Sequence, residues 1–251
     1  MAILHVQEFG TGGTPLVFLG SLGSDTAMWL PQLDHFSASR RTIALDHRGH
    51  GSSPLVAGSP TVAELAEDVQ TTLRAIGVEK YDVVGLSLGG AVAQWLARFD
   101  DNVERAVFIC TAAKFGEPAG WADRADTVRT GGVAALSDAV VDRWFSPTWL
   151  QQHPASRMYY RAMIESTPAE GYALACEALA NWDFHAELPQ IAVPTLVIAG
   201  TEDPSTAPAV VRQISDAIPD AHYAELSPAA HLPNLEQPEQ VNRLIEAHLA
   251  S

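Results

Sequence analysis

The sequence predicts an α/β protein: a mostly parallel sheet flanked by helices, with a helical cap inserted before the penultimate strand. Three observations carry that expectation. Short apolar runs recur along the chain, and several, such as "PLVFL" and "TLVIA", are continuous rather than alternating, the pattern of strands covered on both faces. Amphipathic helical patterns lie between them, which calls for crossover connections and parallel pairing. The alternation then stops between about residues 115 and 187 and resumes with "LPQIAVPTLVIAG".

Taken in order, strands are expected at 3–8, 15–19 and 41–46. A helix follows at 62–76, where Val62, Leu65, Ala66, Val69, Leu73 and Ile76 share one face. Thr61 and Glu64 make a capping box at its start, and Gly77 is placed to end it. A strand at 81–86 leads directly into a helix near 88–98, and another strand is expected at 105–110. Residues 115–187 contain no good strand, four of the six tryptophans, and helical patterns broken by Gly, Pro and Ser. The sheet resumes with strands at 194–200 and 221–226, separated by a helix at 205–218. Residues 1–114 and 188–251 are therefore expected to form the core, and 115–187 the helical cap.

A chain of 251 residues, 47% hydrophobic and 18% charged, has ordinary globular composition. Its apolar runs fall well short of the roughly 20 residues of a membrane span, so no membrane partner is expected. "MAILHVQEFG" has no basic n-region, so the cytoplasm is the expected compartment. Cys110 and Cys176 fit a reducing environment as buried thiols. No CxxC or Cys/His cluster calls for a metal, and no cofactor is expected. A formal charge of −15 argues against a nucleic-acid partner.

The chemistry centres on "VVGLSLGG". Gly85-Leu86-Ser87-Leu88-Gly89 satisfies G-x-S-x-G at a strand end that opens a helix, a strained turn that exposes a nucleophilic serine between glycines. The same Ser-Leu-Gly string occurs at Ser21, but Leu19 stands where the first glycine is needed and no periodic helix follows at once. A serine nucleophile needs a base, and in this architecture the order is serine, acid, histidine. Of nine histidines, His231 in "SPAAHLPNLEQPE" alone lies in a loop between the last strand and a terminal helix. The acid is expected just past a strand end in "LVIAGTEDP", where Asp203 before Pro204 is favoured over Glu202. After the preceding strand, no acid occurs until Glu117.

These residues together resemble the α/β-hydrolase superfamily along the full chain, with "DHRGHGSS" matching its D-x-R-G-x-G-x-S structural turn. "SLGSDTAMWLPQL", "GLSLGG", "RWF", "GYALACEALANWDF", "PTLVIAGTEDPSTAP" and "AAHLPNLEQPE" are more narrowly similar to the 3-oxoadipate enol-lactonases, which open an enol-lactone in protocatechuate and catechol breakdown. The resemblance implies Ser87, Asp203 and His231 as a catalytic triad. Superfamily members commonly carry His-Gly at the end of the second strand; here Gly20-Ser21 stands instead, so the implied oxyanion-hole donors are the N–H groups of Leu22 and Leu88.

The implied reaction is two-step acyl transfer on a small anionic lactone. A carboxylate-bearing substrate of so acidic a chain needs local cations. Residues 114–161 hold six cations against five acids. Within them, "DRWF" offers Arg143 for a carboxylate contact and Trp144 as an indole donor and apolar wall; Ser21 is a further candidate substrate contact. A carboxylesterase or cofactor-free perhydrolase for neutral esters, or a receptor on the same fold, would keep the same serine.

Overall fold

The continuous apolar runs become strands covered on both faces. In the computed structural model, which describes residues 1–250, seven strands form one sheet: β1 (Val6–Phe9), β2 (Leu16–Leu19), β3 (Thr42–Leu45), β4 (Tyr81–Leu86), β5 (Val103–Ile109), β6 (Thr195–Gly200) and β7 (His222–Leu226). Their order is β1-β3-β2-β4-β5-β6-β7. Only β1 pairs antiparallel, with β3; every other pairing is parallel. All residues of β2, β3, β4 and β6 are buried.

The first strand starts later than its apolar pattern implies. The N–H groups of Ala2 and Leu4 bond the side chains of Asp68 and Thr72, and that of His5 bonds Ser53 Oγ. Those donors are therefore spent on a helix and a turn, and ladder pairing begins at Val6.

Helices α1 (Leu30–Ser37), α2 (Val62–Ala75) and α3 (Leu88–Phe99) alternate with the first four strands and β5. At the start of α2, Thr61 Oγ1 accepts from Glu64 N–H at 3.2 Å while the Glu64 carboxylate accepts from Thr61 N–H at 2.7 Å, the reciprocal cap expected there. Between β5 and β6 lie α4 (Pro118–Gly131), α5 (Ser137–Trp144), α6 (Pro147–Gln152), α7 (Pro154–Ser166) and α8 (Ala169–Ala180). Prolines that break the sequence pattern stand at the starts of α4, α6 and α7, where a missing N–H costs nothing. α9 (Pro208–Ala217) links β6 to β7, and α10 (Pro233–Glu236) and α11 (Pro238–Leu249) close the chain. The helix expected from 205 begins at Pro208 because the N–H groups of Ser205 and Thr206 bond the Asp203 carboxylate instead.

Two close backbone approaches position the site. A methyl group on Gly85 would overlap the Gly89 carbonyl, and one on Gly89 would overlap the Leu19 carbonyl. β2, β4 and the first turn of α3 thus meet with no side chain between them. On the other side, the turn after β3 touches α8: a Cβ on Gly49, whose φ is +70°, would lie 2.7 Å from Gly171 Cα. Gly89→Ala is therefore expected to destabilise the fold by about 1–3 kcal/mol or more, as overpacking against unyielding backbone does. Thr61→Ala, which removes only a cap, should cost about 1 kcal/mol. Urea midpoints measured side by side rank the two.

Candidate active site

Ser87 stands between β4 and α3 with φ 56° and ψ −114°, a left-handed conformation that costs a non-glycine residue energy. Its surroundings hold it there: its N–H donates to Ile109 O at 3.1 Å, and its carbonyl accepts from Thr111 Oγ1 at 2.8 Å. The side chain faces a cavity of about 380 Å³ that His231 also lines.

Asp203 lies just past β6 with its side chain fully buried. Its carboxylate accepts from His231 Nδ1 at 2.8 Å, Thr206 Oγ1 at 2.7 Å, and the N–H groups of Ser205 and Thr206 at 2.8 and 3.2 Å. Burial works against its charge, but the neighbouring His231 and these donors outweigh it and hold the carboxyl below its ordinary value. An ionised carboxylate only accepts, so His231 Nδ1 carries the proton and Nε2 is left as an acceptor. Glu202 is exposed, and its backbone N–H ties down Ala229 O at 2.8 Å.

The loop carrying His231 is held on both flanks. Ala230 N–H donates to Glu236 Oε1 at 2.6 Å, and Leu232 N–H donates to the Trp144 carbonyl at 2.9 Å. Glu236 also accepts from the Ser146 hydroxyl at 2.5 Å and the Ser146 N–H at 3.2 Å. Burial raises the Glu236 carboxyl above its usual value, against the pull of these donors. Neither Glu236 nor the Trp144 carbonyl follows from a local motif.

The two Ser-Leu-Gly strings meet at this cavity. Ser21 and Leu22 line it, in a tight turn where Ser21 O accepts from Ser24 N–H and Oγ at 3.1 and 2.7 Å. Leu88 opens α3, whose first N–H groups have no intrahelical acceptor. Gly89 N–H donates to Gly20 O at 2.9 Å and joins the two strings directly.

The cap segment, with Lys114 just before it, supplies the charge. Lys114, Arg124 and Arg143 line the cavity, and no acid does. Asp142, adjacent to Arg143 in sequence, pairs with Arg157 instead. Arg129 pairs with Glu170 and Glu177, and Arg161 with Asp138 and Glu165. Lys114 Nζ lies 4.0 Å from Asp183. Among the described residues, Arg124 and Arg143 are the cap arginines without a carboxylate partner. Arg124 is half-buried; its guanidinium lies over the rings of Trp121 and Tyr172, bonds the Tyr172 hydroxyl, and leaves a buried Nε unbonded. Trp144 is both wall and cap core, at 3% exposure.

The ligand-type atoms of Cys110, Asp203 and His231 lie within 4.8 Å of one another. That set does not fit a metal: the Asp203–His231 bond occupies two of its members, and burial pushes the Cys110 thiol well above its ordinary value, keeping it neutral.

The model of the alpha/beta hydrolase fold matches residues 14–238. The chain belongs to the α/β-hydrolase family. It is 35% identical to 3-oxoadipate enol-lactonase 2 of Acinetobacter baylyi, over 97% of this chain and 92% of that protein. The crystal structure of the enol-lactonase from Burkholderia xenovorans superposes with a TM-score of 0.96 at 36% identity, covering 99% of this chain and 96% of that one. A thermophilic esterase from Thermogutta terrifontis, solved with malate bound, superposes with a TM-score of 0.93 at 28% identity over 98% and 93% of the two chains. This α/β-hydrolase is an ester or lactone hydrolase. Among its described residues, no helix is long and apolar enough to cross a membrane.

The depressed carboxyl of Asp203 makes a pH prediction. Its stabilising contribution is complete above the ordinary value of 3.8 and is lost as pH falls through the lower folded value. The stability difference between the parent and Asp203→Asn, read as urea midpoints from pH 6 downward, should therefore shrink as pH drops below about 3.8.

Proposed function

We propose that this hydrolase opens a small carboxylate-bearing enol-lactone, 3-oxoadipate enol-lactone, to 3-oxoadipate in aromatic-compound degradation. The observation that carries the proposal is the charge of the cavity: three cations and no acid above a serine and histidine, in a chain of net charge −15. The similarity to enol-lactonases and the malate-bound relative support an anionic substrate. The compartment is taken as the cytoplasm, consistent with the free buried thiols of Cys110 and Cys176.

In this mechanism Ser87 Oγ attacks the lactone carbonyl while His231 Nε2 takes its proton. Asp203 stabilises the resulting imidazolium and fixes the ring. The oxyanion lies between the N–H groups of Leu22 and Leu88, where each such donor is worth about 2.7–4 kcal/mol. Collapse breaks the ring C–O bond and expels an enolate oxygen, which takes the proton from His231. The enol remains attached through the acyl chain until water, activated by His231, hydrolyses the acyl-enzyme. Residues 1–114 and 188–251 supply this chemistry, and 115–187 supply recognition. Arg143 and Arg124 hold the substrate carboxylate, with Trp144 as the apolar wall and Ser21 beside the carbonyl.

A coupled ring-opening assay run beside a neutral p-nitrophenyl ester tests the proposal. Ser87→Ala should lose at least about 10³-fold in kcat on both substrates; retained turnover would remove the serine from the mechanism. Arg143→Ala should raise KM for the anionic lactone about tenfold, the loss of one solvent-screened charge-assisted contact. Turnover of the neutral ester should change little. Preference of the parent enzyme for the neutral ester would instead favour a carboxylesterase.

A further inference from the structure

Two N–H donors on different segments make an oxyanion hole only if their spacing is fixed, and one carbonyl links both segments. Gly20 O accepts from Gly89 N–H at 2.9 Å and lies 3.0 Å from His47 Nε2. Gly20 leads directly into Ser21 and Leu22, and Gly89 follows Leu88. Any tilt of the Gly20 peptide therefore moves Leu22 relative to Leu88. The peptide is packed as well as bonded: a Cβ on Gly20 would meet Ser24 Oγ at 2.6 Å and Met28 Sδ at 2.9 Å. Ser21 N–H, the next donor along, faces the same Met28 sulfur at 3.4 Å. The carbonyl is left with one further strong partner, His47.

His47 lies on the turn after β3, 3% exposed. A carbonyl oxygen only accepts, so Nε2 must carry the hydrogen. Burial pushes the imidazole below its ordinary value, so the ring is neutral and its tautomer is set by this contact. The turn itself is braced. Asp46 accepts from Thr26 N–H at 2.7 Å and Ser52 N–H at 2.9 Å, and Arg48 pairs with buried Asp68 at 2.5 Å. His50 packs edge-on to the His47 ring, with centroids 6.2 Å apart.

We infer that His47 is a positioning residue: its Nε2–H fixes the Gly20 peptide, and through it the spacing of the Leu22 and Leu88 N–H groups. It is not among the residues lining the cavity, so its effect passes through the Gly20 peptide. The kinetic consequence rests on the acyl-transfer mechanism proposed above; the tautomer does not.

The experiment has two arms. In the unsubstituted protein with ¹⁵N-labelled histidine, the His47 ring should show the Nε2–H tautomer across pH 6–8; an Nδ1–H ring overturns the inference whatever the substrate. In the second arm, His47→Gln keeps a donor at similar reach, His47→Asn is too short, and His47→Leu keeps volume without a donor. With p-nitrophenyl acetate, the Asn and Leu variants should lose about 10- to 100-fold in kcat with KM within about twofold, since small misplacements of catalytic groups cost that much. The Gln variant should recover most of the rate. Inhibition by phenylboronic acid, which places a tetrahedral oxyanion, should weaken in parallel with kcat. Equal kcat for Gln and Asn at matched melting temperature, or a change confined to KM, overturns the inference. These comparisons stand if His47→Leu fails to fold. An active Ser87→Ala enzyme would defeat the mechanism without touching the tautomer result.

Discussion

Everything at the site depends on one steric constraint: backbone meets backbone where β2, β4 and the first turn of α3 converge. Gly85 and Gly89 leave no room for a side chain there. That closeness lets Gly89 N–H reach Gly20 O and brings two separate loops within reach of one small group. It also holds Ser87 in its left-handed conformation, because relaxing the turn would pull α3 off the sheet. The glycines of G-x-S-x-G are required by contact, and the serine between them is presented as a result.

Charge is organised as sharply as the backbone. The surface of the chain is acidic, and the cap cations mostly neutralise one another's neighbours: Arg129, Arg157 and Arg161 are each shared between two acids. Among the described residues, the two cap arginines without a carboxylate partner, half-buried Arg124 and exposed Arg143, line the cavity. A local cationic cavity in an acidic protein gains little from long-range attraction, so the proposed recognition of a carboxylate rests on contact at short range.

The strands and the three motif residues were legible because each is written in local pattern. A covered strand is a continuous apolar run, and a strand-to-helix serine is a glycine spacing. Asp203 and His231 are loop residues after the last two strands, and the structure bonds them at 2.8 Å. What stayed out of reach depends on packing between elements distant in sequence. Arg124 was one of six cations in a window, and nothing near it in sequence announces that α4 aims it beside Arg143 of α5. The true start of β1 depended on Asp68 and Thr72 taking backbone donors from 66 and 68 residues away. His47 sits inside a recognisable turn, but its partner Gly20 lies just past β2, 27 residues away.

The cap is moored to the histidine loop by the Trp144 carbonyl and by Ser146 through Glu236, while Arg143 and Trp144 line the cavity. One short strip thus divides its labour between main chain and side chain. The Trp144 carbonyl and Ser146 dock, and the proposed contact with substrate falls to the side chain of Arg143. The exposed side chain at 143 can therefore be exchanged, in a laboratory or over generations, without touching the hydrogen bonds on which the histidine loop rests, whereas buried Trp144 is tied to the packing of the cap. If the proposed recognition holds, preference can drift at that one position while the bonds beneath it stay as they are.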